Sequence, residues 1–213
     1  MSTHLKQAAS PSAATEKLHP NKRTITRFLS ELCDPWDSGN HFHLRFLREG
    51  FTPSNTNFAP HAWDEMIEHV LKMNRTHNVY VCPNPIPDGA SSVACDDDIH
   101  AAHFAFVDAD DVIATKLARE FHQFERHMEV VTGTVPFDRV HHYYKFDEPM
   151  TDLDQWRQLQ SLLIDRLKTD ASIKNPSRIM RVAGTISHPS KAKLQKGYVP
   201  ELTKLKIGGE YVE

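Results

Sequence analysis

The stretch that decides the reading is His103–Asp111, HFAFVDADD, an apolar run that ends in carboxylates. Read as a strand, it places Phe104, Phe106, Asp108 and Asp110 on one face of a sheet. His103, Ala105, Val107, Ala109 and Asp111 fall on the other. Asp108 and Asp110 then stand roughly 6.6 Å apart along the strand with parallel side chains. Two carboxylates at that spacing can hold one divalent cation or bridge a pair; unpaired, they repel and raise each other's pKa. Asp-rich strand ends also cap helices and make turns. Asp111, on the opposite face and just before an amphipathic stretch, is assigned the cap. Phe104 and Phe106 become the apolar floor behind Asp108 and Asp110.

Outward from this strand, the spacing predicts a helix over 112–127 with Leu117, Phe121 and Phe124 inward, then strands over 128–132 and 139–146. Thr151–Lys168 is a helix with Trp156, Leu159, Leu163 and Leu167 spaced for burial, and Thr151 or Asp152 as N-cap. On the N-terminal side, Ile25, Phe28, Leu29 and Leu32 mark a helix over 24–33. His41–Leu47 alternates as a strand, and Trp63, Met66, Ile67, Val70 and Leu71 stripe a helix over 60–74. Asn78–Cys82 is a short buried strand. Residues 1–20, rich in Ser, Ala and Pro, are expected to be a disordered tail, with one domain over 21–213. The ending at 208–213 offers no capping element, so a domain excised from a longer protein is expected. The order β-α-β-β-α and then further strand resembles a ferredoxin-like or RNA-recognition sheet, with the preceding α-β-α-β portion as a second lobe.

The chain has 213 residues, enough for one large domain or two small lobes. No apolar run approaches a membrane span, and the polar N-terminus is no secretory signal. Three scattered cysteines, Cys33, Cys82 and Cys95, build neither a zinc site nor a disulfide framework, so a reducing cytoplasm is inferred. The net charge of −3 does not advertise a nucleic-acid binder, but the charges are segregated. Acids gather at 96–98 and 108–111. Residues 171–200 contain no Asp or Glu, and Lys174, Arg178, Arg181, Lys191, Lys193 and Lys196 lie among them. An acidic metal site beside a basic phosphate site would distribute charge in this way.

Two further constellations carry chemistry. In Arg139-Val140-His141-His142-Tyr143-Tyr144, strand alternation puts Arg139, His141 and Tyr143 in one row, suited to an anionic ligand such as a triphosphate. His142 and Tyr144 diverge to the other face, so the adjacent histidines cannot share one metal. The second constellation runs from Asp170 through Arg178 and Arg181 to Gly184-Thr185, where glycine would let the backbone approach phosphate closely.

In that order, the motifs resemble the archaeo-eukaryotic primase superfamily, above all the primase-polymerases of phages and plasmids. They comprise Asp-x-Asp ending an apolar strand, a Gly-containing turn before a histidine strand, a further Asp, and Arg…Arg-x-x-Gly-Thr followed by lysines. The resemblance covers about residues 78–198. Its departures are a longer Thr132–His141 loop lacking a second glycine, and Ser187-His188-Pro189 where an Asn is usual. The zinc-binding module of some relatives is absent.

The resemblance implies an α+β, two-lobed primase-polymerase fold: an N-terminal αβ unit plus an RRM-like antiparallel sheet carrying the catalytic acids. It implies a DNA-templated nucleotidyltransferase of phage or plasmid replication. Asp108, Asp110 and Asp170 would hold two Mg²⁺ or Mn²⁺ ions about 3.5–4 Å apart. Arg139, His141, Arg178 and Arg181 would clamp a dNTP or NTP, and Lys191, Lys193 and Lys196 would contact the template. Tyr143 or Tyr144 could crowd a ribose 2′-hydroxyl. The expected partners are single-stranded template and primer, nucleoside triphosphates, and a replicative helicase in cis or in trans, with no membrane. Two other classes use the same residues differently. A metal-dependent nuclease or phosphodiesterase would direct water with the same acids. A non-catalytic nucleic-acid-binding module would present stacking aromatics on its sheet.

Overall fold

The apolar stripes of the N-terminal half meet in one core. The computed structural model describes residues 17–37 and 39–212, so most of the expected 1–20 tail lies outside the described residues. Helix α1 (Lys22–Cys33) is capped by Asn21, whose side chain accepts from the Thr24 N–H, and it buries Ile25, Phe28, Leu29 and Leu32. Strand β1 (Asn40–Leu47) turns into β2 (Ser54–Phe58), and α2 (Trp63–Met73) buries Met66, Ile67 and Val70. β3 (Asn78–Val81) and the two-residue β4 (Ile86–Pro87) follow.

The carboxylate-tipped stretch is β5 (Ala102–Ala109), and Asp111 caps α3 (Val112–Glu120) by accepting from the Ala114 N–H. α3 is shorter than the expected 112–127 helix. Phe121 closes it in an extended conformation, and Phe124 is 45% exposed rather than inward. Then come β6 (Met128–Gly133), β7 (Arg139–Met150) and α4 (Leu153–Leu167), capped by Asp152. The remainder is β8 (Met180–Arg181), β9 (Ile186–Ser187), α5 (Lys191–Gln195), β10 (Glu201–Leu202), β11 (Lys204–Ile207) and β12 (Glu210–Tyr211).

Two five-stranded antiparallel sheets result, with β9 and β10 forming a separate two-stranded pair. The first runs β2-β1-β3-β8, with β4 also on β1; the second runs β12-β11-β6-β7-β5. β5 and β6 both pair antiparallel with β7, so they are mutually parallel and α3 crosses between them. This is the split β-α-β of the expected ferredoxin-like sheet, with the fourth strand, β11, beside the second, β6. One core joins the sheets: Phe42, Leu44 and Phe46 from the first, Phe104, Phe106 and Tyr143 from the second, with α1 between. Tyr143 meets Phe28 edge-on at 5.8 Å. Among the described residues no helix is long and apolar enough to cross a membrane.

β5 is an edge strand, and its outer backbone groups are satisfied by side chains instead of another strand. Trp156 Nε1 donates to the Phe104 carbonyl (2.9 Å). Gln160, fully buried, both accepts from the Phe106 N–H and donates to its carbonyl, and also reaches the Ile173 carbonyl. Gln160→Leu keeps the volume but orphans those buried groups. It is expected to cost about 2–4 kcal/mol, read as a lower urea midpoint with an unchanged slope.

Candidate active site

The next outward carbonyl on β5 belongs to Asp108, and its partner is the backbone N–H of Asp170 (3.0 Å). The edge accounting that fixes α4 against β5 therefore also sets Asp170 beside Asp108. Across the strand pair Asp108 stands opposite His141, with His141 Nε2 3.4 Å from Asp108 Oδ1. Both continue the row of Phe106 and Tyr143 and end at an opening lined by residues of both sheets.

The opening is a polar cavity of about 260 Å³. The second sheet contributes Asp108, Thr132, Arg139 and His141, with Asp110 just past the end of β5. The first contributes Asn78, Tyr80 and Arg181, and the segment around α5 adds His188, Ser190, Lys193 and Tyr198. Arg181 is held by two partners from β3: Nη1 donates to Asn78 Oδ1 (2.6 Å) and Nη2 to the Tyr80 hydroxyl (2.8 Å). The Asn78 amide also pairs with the His188 backbone in both directions, at 2.8 Å each. A stretch more than 100 residues away is thereby docked onto β3.

The two cavity carboxylates differ in their proton affinity. Burial pushes Asp108 up, but His141, Arg181 and Lys193 outweigh it and hold the carboxyl below its ordinary value. Asp110 is pushed up by lost hydration and by the charges of Asp108 and Asp170, against Lys193. A carboxyl raised on folding loses stability as pH climbs through its folded pKa. Asp110→Asn is therefore expected to raise the thermal midpoint at pH 7 by about a degree or two, and the gain should fade as pH falls below the ordinary carboxylate range, where the group is protonated folded and unfolded alike. Differential scanning calorimetry at pH 7 and below that range reads both.

Several expected site residues lie elsewhere. The Asp170 carboxylate does not face the cavity; it accepts from Ser172 N–H (2.8 Å) and Oγ (2.9 Å). Among the described residues no three His, Cys, Asp or Glu side chains converge to hold a metal ion. Arg178 also stands off the cavity, donating to the Ser172 carbonyl. Arg139 lines the cavity, but its guanidinium is engaged by Glu201 (3.1 Å) and the carbonyls of Val135 and Phe137, under the Tyr198 ring at 4.5 Å. Gly133 makes room for it, since a Cβ there would meet the Arg139 guanidinium at 1.8 Å.

Of the three lysines, Lys193 lines the cavity, while Lys191 and Lys196 are exposed beyond it. Tyr143 and Tyr144 are both buried, and neither lines the cavity. His142 is fully buried on the far face against Glu129 (2.9 Å), so of the adjacent pair His141 is the one that lines the cavity. Gly184 has the positive φ expected of its turn (77°), but it abuts the start of α1, where a Cβ would meet Ile25 N at 2.8 Å, and not a phosphate site. Asn78, Tyr80, His188 and Tyr198 were not singled out from the sequence. The alternation Asn78-Val79-Tyr80-Val81 carried the signal for the first two.

Oxygen donors from Asp108 and Asp110 suit hard divalent cations, and Asp110, pushed up first by lost hydration and then by the Asp108 and Asp170 charges, would be relieved by one. These two residues would hold a metal, with Asp170 adjacent through its backbone.

No family model and no curated protein matches the chain in sequence. Solved structures do match. The catalytic (AEP) domain of the cyanophage S-2L primase-polymerase aligns with a TM-score of 0.60 at 21% identity, over 90% of this chain and 93% of that one. Primase RepB′ aligns with 0.56 at 14% identity, over 87% of this chain and 57% of that one. The RepB′ catalytic domain in complex with initiator DNA aligns with 0.52 at 15% identity, over 88% and 87%. The expected α+β architecture and these alignments agree: the chain shares the fold of these primase and primase-polymerase domains.

Proposed function

We propose that the chain is a DNA-templated nucleotidyltransferase, a primase or DNA polymerase of phage or plasmid replication. The observation that carries this reading is a single cavity with opposed charges: Asp108 and Asp110 at one side, Arg181 and Lys193 at the other. It sits on a fold shared with primase-polymerases.

Arg181, oriented by Asn78 and Tyr80, and Lys193 bind the triphosphate and stabilise the charge that grows on it during in-line displacement. His141 is placed by Asp108 to donate to a phosphate oxygen. Arg139 acts indirectly: by tying the 134–138 loop to Glu201 and supporting Tyr198, it shapes the cavity wall. Asp108 and Asp110 would hold Mg²⁺ or Mn²⁺, which would supply charge neutralisation and lower the pKa of the attacking 3′-hydroxyl. The Asp170 carboxylate would reach the same ion only by giving up its bonds to Ser172.

The test is a labelled primer annealed to a longer DNA template, incubated with Mn²⁺ and dNTPs. Template-directed lengthening is expected. Shortening would replace this reading with that of a metal-dependent nuclease.

A further inference from the structure

One face of the first sheet leads out of the cavity. The apolar residues of β1, β3 and β8, among them Leu44, Val81 and Met180, turn to the core. On the opposite face the register aligns one rung across four strands. Arg45 pairs with Asn55 on one side and Tyr80 on the other, and Tyr80 pairs with Arg181. Tyr80 and Arg181 line the cavity; Arg45 and Asn55 carry the rung roughly 14 Å outward to the sheet edge. Arg45 Nε and Asn55 Oδ1 have no hydrogen-bond partner. Among the described residues no carboxylate lies within ion-pair distance of Arg45, Arg48 or Arg181.

Past the rung, the β1–β2 turn stacks Arg48 on Phe51, with Cζ 4.2 Å from the ring centre and Phe51 58% exposed. Glu49 of this turn accepts from the Lys191 N–H (2.9 Å), which ties the turn to the helix that carries Lys193 into the cavity. Cavity, rung and turn are therefore continuous, and among the described residues the arginines along them, Arg181, Arg45 and Arg48, pair with no acid. Guanidinium groups neutralise phosphates without reading sequence, and an exposed aromatic ring with one face backed by arginine leaves its other face for a base.

We propose that single-stranded DNA, serving as template, leaves the cavity along this rung, with Arg45 and Arg48 on its phosphates and Phe51 stacked on a base. The proposal rests on the polymerase reading for the word template, but the binding it describes does not. The test is fluorescence anisotropy of a labelled oligo-dT in EDTA, beside calorimetric titration of dATP with Mn²⁺. The double variant Arg48→Glu/Phe51→Ala lies in an exposed turn and leaves the core intact. It should weaken DNA binding at least about tenfold, and flatten the salt dependence by about one unit of slope, with dATP binding kept. Arg45→Gln should flatten that slope as well, and Arg166→Glu on α4 should change neither. Wild-type DNA affinity in the turn and rung variants, or equal weakening by Arg166→Glu, would overturn the track. Weakened DNA binding in these variants, beside a wild type that extends no primer, would support the track and overturn the polymerase reading.

Discussion

Asp108→Asn is expected to lower templated primer extension at least about 10³-fold, equivalent to about 4 kcal/mol of transition-state stabilisation. The fold should survive, because the group that locks Asp170 to β5 is the Asp108 backbone carbonyl, which the substitution leaves in place. Neutralising Asp108 also removes one of the charges that push Asp110 up, so the Asp110 carboxyl should titrate nearer its ordinary value. Extension assays, unfolding curves and carboxyl titration by NMR separate these effects. A variant that unfolds would implicate the side chain in stability; a folded variant of normal activity would remove Asp108 from the chemistry.

The second large effect lies on the far face of the same sheet. Glu129 is 1% exposed, yet it holds His142 at 2.9 Å, Lys206 at 2.9 Å, Arg126 at 3.5 Å and Arg119 at 3.6 Å. Burial alone would raise its pKa; His142 and Lys206 prevail and bring it to about 2. His142 itself, shut away from water, is held below the ordinary imidazole value, so it serves as a neutral donor. Glu129→Ala strands the cations and is expected to cost about 3–5 kcal/mol. The sign with pH follows from the depressed value. The carboxylate's contribution is complete above about pH 4.5 and is lost as pH falls toward about 2. The stability gap between wild type and Glu129→Gln should therefore be widest near neutrality and close on acidification.

Elements carrying their own apolar periodicity were legible: the stripes of α1, α2 and α4, and the apolar runs of β5, β6 and β7. β2 was not, because SNTNF buries only Phe58 and is an edge strand held by β1. β8 exists through pairing of Tyr80 with Arg181 across about 100 residues, and no local pattern encodes such a contact. The site divides in the same way. Asp108 and His141 were readable because alternation on adjacent strands predicts their shared face. Arg139 lines the cavity, but its pairing with Glu201 was not legible because that partner lies 62 residues away. The Asp170 backbone lies beside Asp108, but its side chain is taken by Ser172, a competition between a local turn and a distant site.

The most direct measurement is a crystal structure with Mn²⁺ and a non-hydrolysable dNTP, located by manganese anomalous scattering. The account predicts anomalous density on the Asp108 and Asp110 carboxylates and the triphosphate against Arg181 and Lys193. Manganese held elsewhere, or a nucleotide bound outside the cavity between the two sheets, would contradict it.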